Sequence, residues 1–516
     1  MPTADPSSAT QHRVPRWVLL AVSTVLAIVL IAVILLAVYW PFLKSKVLSN
    51  IQEDFPGAVR AAKFHSTYFP HAGCVAEDIV VTPADGPPNT ITHIYVHKLT
   101  VQTEYAGLFF RPTRISRVIL EGLRVEILPS TAPKPPAPKV PRTPSSIYGE
   151  IVADNSVLEI GRSEGKSPLR FEIHKLTVHS VRDDAPLSYD VVMHNPEPSA
   201  EIRATGKFGP WNSSDHGKTF VSGNYSFDHA DLGEFEGIAG ILSSTGHFEG
   251  PLGHIATQGN TDIPNFEVTH AKHPIHLKTK FDAFVDGLNG DTFLKNVTAT
   301  FLQTTVVASG SVAGEKNQHG KFTNLDFVAH DGHIQDLLRM FVKASDPPMD
   351  GVTNFHGHVT LPPGPEKFLQ KVILEADFTI SGGKLTNPER QAAVDELSKN
   401  ARDKKKEKTT ESVTSDTASH VVLRGGVAKF TDLSFAIPGA TAKMEGTFNL
   451  ENHKIDFHGP LKTEAELSHQ TSGVKAVLLK PLDPLFKRKH AGADVPAEAT
   501  GTFGHPHFGI QIIPKK

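Results

Sequence analysis

Val118–Ile127 reads VILEGLRVEI, and its second half decides the class of fold: Leu123, Val125 and Ile127 alternate with Arg124 and Glu126. An apolar residue at every second position marks a strand with one buried face and one wet face. The same period recurs on both sides. Ile94 and Val96 alternate with Tyr95 and His97, and Phe171 and Ile173 with Glu172 and His174. Gly (40) and Pro (38) are abundant and Phe (30) far outnumbers Tyr (7), which fits many turns and short strands better than long helices. The expected class is mainly β, with many strands and a few short helices.

Two internal repeats extend the pattern. HKLTV occurs at His97–Val101 and again at His174–Val178. Val297–Val312 aligns with Leu433–Phe448 when Gly310 is set on Gly446, which matches Phe301 to Ile437, Ala308 to Met444 and Val312 to Phe448. A small residue, Gly, any residue and an apolar one recur at Thr205–Phe208, Thr245–Phe248, Ser309–Val312 and Thr500–Phe503. Each Gly belongs where a strand bends or meets its neighbour closely. Such repetition points to a quasi-linear β architecture.

Before the strands, Trp17–Trp40 reads WVLLAVSTVLAIVLIAVILLAVYW without a charge. As a helix it is roughly 35 Å long, enough for a hydrocarbon core of about 30 Å. Trp17, Tyr39 and Trp40 stand at its ends, where amphipathic rings favour the headgroup level. A cleaved signal peptide would have a shorter apolar region and a small-residue cleavage site. Arg13 and Arg16 before it are balanced by Lys44 and Lys46 after it. A long following domain crosses largely regardless of flanking charge, so the tail is expected inside and the body outside. Ala72-Gly73-Cys74 lies too far past the apolar run to serve as a lipoprotein cleavage box and reads as an ordinary thiol.

Length sets a prior of about three domains or one long repetitive one. The expected division is a cytoplasmic tail over 1–16, the anchor over 17–40, a helix and strands over 41–129, and a Pro-rich linker over 130–147. A central β region follows over 148–386, then a helix and charged flexible stretch over 387–419, and a last β region over 420–516. Helices are expected at Pro41–Phe55, with Phe42, Leu43, Val47, Leu48 and Ile51 on one side, at His333–Ala344, at Pro388–Lys399 with Asn387 as N-cap, and at Gly473–Phe486. Residues Asn400–Ser419 are charged and Ser/Thr-rich, the composition of a disordered segment.

Chemistry is sparse. One cysteine, Cys74, excludes an intrachain disulfide and zinc sites needing two thiolates. A net charge of −3 gives no global field for nucleic acid or anionic lipid. Among 27 histidines, His270, His273 and His276 are spaced by three, which in a strand puts neighbours on opposite faces. His505 and His507 lie near the C-terminus, and Asp183, Asp184, Asp282 and Asp286 read as solvated loop carboxylates. No nucleophile elbow, phosphate loop or HExxH is present. The expectation is a non-enzyme with no cofactor, no metal and no nucleic-acid partner.

Phe378–Leu385 (FTISGGKL), the helix carrying Leu397-Ser398, Gly426–Phe430 leading to Leu433-Ser434-Phe435, Gly446-Thr447-Phe448 and the closing Gly501–Phe508 (GTFGHPHF) resemble the AsmA-like C-terminal region. The front end, one anchor followed by strands that run to Ile127, is similar to that family too. The resemblance implies a repeating β-groove protein, an N-terminal transmembrane helix followed by a long curved antiparallel β-sheet or groove with a few short helices, anchored in the bacterial inner membrane, facing the periplasm and supporting outer-membrane biogenesis and phospholipid transport. On that reading Leu99, Val101, Leu123, Val125, Ile127, Leu176 and Val178 are candidates for an acyl-chain lining. The partners implied are the inner membrane, phospholipid and other envelope proteins. Two rivals stay open: a β-scaffold that docks envelope proteins through its edges, and an envelope hydrolase or metalloenzyme, which would need three or more convergent His, Asp and Glu side chains in a pocket. Alternation alone serves a sealed β-sandwich as well as an open trough.

Overall fold

The computed structural model describes residues 40–510, apart from 55–56, 84–91, 111, 128–145, 162–167, 182–184, 213–214, 316–319, 344–345, 403–411, 464–494 and 503–504. Trp17–Tyr39, most of the Pro-rich stretch, the expected helix at Gly473–Phe486, Asp183 and Asp184 therefore lie outside the described residues. Among those described, no helix is long and apolar enough to cross a membrane. The chain is mainly β and divides into two compact units, one holding the strands up to residue 160 and the other those from residue 169.

The first unit contains α1 (Lys44–Asp54), β1 (Gly57–Thr67), β2 (Ala72–Pro83), β3 (Thr92–Thr103), β4 (Thr113–Ile127) and β5 (Ser146–Ile160). β1 to β4 form an antiparallel meander. β4 and β5 run parallel, Val118 opposite Ile151 and Ile127 opposite Ile160. That departs from the all-antiparallel expectation. Parallel neighbours need a connection of a dozen residues or more, and 128–145 supply that length. Non-glycine left-handed residues at Asp78 (φ 51°) and Asn155 (φ 48°), with Gly122 (φ 64°) between them, mark matched irregularities in β2, β5 and β4. At Asp78 the buried positions change phase, from Cys74 and Ala76 to Ile79 and Val81, while the register with β1 and β3 runs on unbroken. Phe42, Cys74, Ala76, Ile79, Val96, Leu99, Val101 and Val118 are buried in this unit, and Leu43, just before α1, and Val47 and Ile51 within it pack against them. Burial of Cys74 pushes its thiol up to about 12.

The second unit begins with β6 (Leu169–Val181), β7 (Leu187–Pro196), β8 (Ser199–Phe208), β9 (Phe220–Asp231), β10 (Ile238–Ala239), β11 (Ile241–Pro251), β12 (Ile255–Val268) and β13 (Ile275–Val285). β14 (Thr292–Phe301), β15 (Thr304–Gly314), β16 (Lys321–His333), α2 (Ile334–Phe341), β17 (Met349–Leu361), α3 (Phe368–Lys371) and β18 (Ile373–Leu385) follow. The last elements are α4 (Pro388–Ala401), β19 (Ser415–Arg424), β20 (Val427–Ile437), β21 (Ala440–Asn449), β22 (Lys454–Thr463), β23 (Val495–Thr502) and β24 (His505–Ile510). Every strand pairs antiparallel with its sequence neighbour, except that β9 passes to β11 while two-residue β10 lies on β12. No described pairing joins β24 back to β6.

Three expected helices are close to their expected bounds, α1 among them. α4 starts after Asn387, whose Oδ1 accepts the Arg390 amide at 3.0 Å. α2 is shorter than expected, because Val342 is already extended. The stretch read as disordered to residue 419 is strand from Ser415. Its buried positions up to residue 419 are Ser415 and Ser419, so no apolar alternation announced its start. Ser415 Oγ donates to Gly383 O at 3.2 Å and Ser419 Oγ to Thr431 O at 3.0 Å. Asp282 likewise lies within β13, 3.1 Å from Lys295 Nζ, not in a loop.

Candidate functional site

Cross-strand partners share a face of the sheet. Following partners from strand to strand through the second unit traces one row. It runs Leu176, Val191, Ala204, Tyr225, Gly246, Gly259 and Phe281 over β6–β13. It continues through Val297, Ala308, Phe327, Gly357, Ala376 and Val421 over β14–β19. It ends through Phe430, Gly446, Phe457, Ala499 and Phe508. Every member is apolar, aromatic or glycine.

A second row starts at Val178, Tyr189, Gly206, Gly223 and Phe248 and includes Leu294, Gly310, Leu325, Val359 and Leu374. It reaches Leu423, Ala428, Phe448, Ile455 and Gly501, with Thr257 and the Tyr189 phenol its two hydroxyls. The recurrent glycines of the sequence (Gly206, Gly246, Gly310 and Gly501) all fall in these two rows.

The glycines give the rings room to lie down. A Cβ at Gly259 would stand 2.8 Å from Phe281 Cζ, one at Gly357 2.8 Å from Phe327 Cζ, and one at Gly446 2.7 Å from Phe457 Cδ1. The aromatic rings therefore lie across neighbouring strands and tile the face. Phe281, Phe327, Phe430 and Phe457 are nonetheless only half-buried. A sealed sandwich core would bury them fully.

What covers this face covers its margins. Leu337 and Met340 of α2 pack with Ile275, Phe301 and Val306. Leu397 and Ala401 of α4 pack with Ile437, Ala442 and Leu461. Phe368 of α3 packs with the cluster of Val372, Leu423 and Ala428. Connections far apart in the ladder also meet. A Cβ at Gly237 would be 3.0 Å from Phe368 Cγ, and the His270 and His453 rings are 6.2 Å apart.

The opposite face is polar and held by ion pairs and hydrogen bonds. Asp377 lies between His356 (3.3 Å) and His420 (3.0 Å), and His358 lies 2.8 Å from Asp326. His276 pairs with Asp262. Glu201 sits against His194 and His174; desolvation raises its carboxyl, but the two imidazoles outweigh it and hold the carboxyl below the usual range. Among the described residues, no three or more His, Cys, Asp and Glu are arranged to hold a metal ion.

The lining candidates read from sequence divide between the two units. Leu99 and Val101 are in the closed core under α1, Leu123 and Val125 are half-buried on that same face, and Ile127 is exposed at its end. Leu176 and Val178 are the β6 members of the two rows. Trp40 is buried, while Trp17 and Tyr39 lie outside the described residues. Sequence reading passed over Phe281, Phe327, Phe430 and Phe457. Their signal was the excess of Phe together with the recurrent Gly, which register alone could assemble into a face. Comparison of the chain with protein-family models, curated proteins and solved structures finds no match.

Proposed function

We propose that this is an AsmA-like protein of a bacterial inner membrane, anchored by Trp17–Trp40 with its body in the periplasm. On this reading it supports envelope biogenesis by holding phospholipid acyl chains against the apolar face of the second unit, which serves as a groove. The observation that carries the proposal is the pair of rows of apolar residues and glycines that cross the strands from β6, the first to β24 and the second to β23, with Phe281, Phe327, Phe430 and Phe457 half-buried along the first. Exposing an acyl chain to water costs about 0.8 kcal/mol per methylene. An uncovered apolar strip offsets that cost along its whole length. With strands about 4.8 Å apart, the strip is on the order of 80 Å long, measured along the sheet. The small residues between the rings leave it smooth enough for a chain to slide.

Photo-crosslinking in membranes tests this. A photoreactive residue at Phe327 or Phe430 of the full chain is expected to capture phospholipid, detected by mass spectrometry. The same residue at Asp326 or Lys429, on the opposite face, is expected to capture none. Absence of lipid adducts at the two lining positions would refute the proposal. Protein adducts in their place would favour a β-scaffold that docks envelope proteins.

A further inference from the structure

The first unit exposes aromatic side chains at one end of its sheet. Phe69, in the turn between β1 and β2, is 87% exposed, and Tyr68 beside it 52%. Phe109 and Phe110, in the connection from β3 to β4, are 87% and 45% exposed, and Tyr105 45%. Register puts both connections at the same edge, because Thr67 lies opposite Gly73 and Gly73 opposite Gln102. The Tyr105 hydroxyl donates to Tyr68 O, tying one connection to the other.

Trp40, the last residue of the apolar run, is at this edge too. Its ring centroid is 4.8 Å from that of Tyr68, and Lys46 Nζ donates to its carbonyl at 3.3 Å. The Ser66 hydroxyl donates to Phe42 O at 2.8 Å, fixing the start of the body against the end of β1. Cations accompany the rings. The Arg114 guanidinium lies 4.1 Å above the Phe110 ring, and Lys44 and Lys46 are exposed on the first turn of α1. Glu104 is the acidic side chain between β3 and β4.

Rings at loop tips, interleaved with cations, suit the boundary between lipid headgroups and acyl chains. The occupant follows from where the apolar run ends. Trp40 packs on Tyr68, so a bilayer holding that run begins beside these loops, with no intervening linker. We infer that Tyr68, Phe69, Tyr105, Phe109 and Phe110 form a collar that dips into the membrane interface and seats the first unit on the bilayer around the anchor. The inference rests on the anchoring reading above and adds a second, peripheral contact to it.

Depth-resolved fluorescence on the full chain in phospholipid vesicles tests the collar. Cys74 is fully buried with an inert thiol, so a label reports introduced cysteines only. A polarity-sensitive fluorophore goes on Phe69→Cys, on Phe109→Cys and on the control Ala58→Cys. Ala58 lies near the far end of β1, roughly 30 Å away. Labels at 69 and 109 are expected to shift to the blue and to be quenched by lipids brominated near the headgroup. The label at 58 is expected to emit as in water. If the chain co-floats with the vesicles while 69 and 109 also emit as in water, the collar is overturned and the anchor stands. If the chain does not co-float, the anchoring reading fails and the collar falls with it.

Discussion

The Asp336 carboxylate is 6% exposed, yet it has partners for its charge. It accepts the Thr304 hydroxyl at 2.8 Å and the Gln303 amide at 2.9 Å, and Thr304 Oγ1 in turn accepts the His333 amide at 2.9 Å. This network ties the start of α2 to the β14–β15 turn. Asp336→Ala leaves a buried amide and hydroxyl without their acceptor, and is expected to cost about 1–3 kcal/mol in denaturant unfolding. Asp336→Asn keeps an acceptor and should cost less. Asp78, in contrast, is exposed. The Tyr95 hydroxyl at 2.8 Å and then His97 at 3.3 Å hold its carboxyl below the usual aspartate range. A lowered folded pKa contributes stability that is present above the unfolded value near 3.9 and is lost as pH falls through the folded value. Tyr95→Phe removes the larger cause. Its Asp78 is expected to titrate closer to 3.9 by carboxyl NMR, while an unchanged midpoint would show that the hydroxyl is not responsible.

At the level of elements, the repeat read in the sequence is structural. β14–β15 and β20–β21 pair with the same offsets: Phe301 with Thr304 as Ile437 with Ala440, and Leu294 with Gly310 as Phe430 with Gly446. The register shift falls between Leu294 and Val297 in one and between Phe430 and Leu433 in the other. Phe301 is buried under α2 and Ile437 under α4. Each hairpin is thus a unit with a short helix over its turn end. The repeat's glycine is needed for close approach. A Cβ at Gly310 (φ 148°) would be 2.0 Å from Asn324 O, and one at Gly446 2.2 Å from Asp456 O. Gly310→Val and Gly446→Val are each expected to destabilise by about 1–3 kcal/mol, read as a lowered thermal midpoint. Equal stability of either variant would show that the neighbouring strand yields freely. Strands with apolar alternation, such as β3 and β4, were legible from sequence, as was α4 from its Asn387 cap and Pro388 start. The first half of β19 was not, because its buried side chains are Ser415 and Ser419. The parallel β4–β5 pair was not either, because direction of pairing leaves no mark on alternation. The lining face was half legible: its glycines recur visibly, but which residues share a row depends on register.

At the scale of the whole chain, the two units use the same strand pattern to opposite ends. The first places Phe42 and α1 over its apolar face, so Leu99 and Val101 become core. In the second, short helices cover the margins and the rings between them stay half-buried. Ligand that binds only the folded state adds stability by mass action, about 2.7 kcal/mol at a hundredfold excess over Kd. If acyl chains occupy the second unit, a lysophospholipid below its micellar concentration should therefore act on one unit only. Hydrogen exchange of the full chain is expected to slow in β13–β22 on its addition, and to stay unchanged in β2 and β3. Phe327→Asp and Phe430→Asp put a charge onto the strip, where burying it beneath an acyl chain is strongly unfavourable. Because both rings are already half-exposed, these changes should lower stability less than they lower protection by lipid. Equal slowing in both units would mean that the lipid acts as a general amphiphile. No slowing in either would mean that the strip meets something other than an acyl chain, and the lining assignment would have to be abandoned.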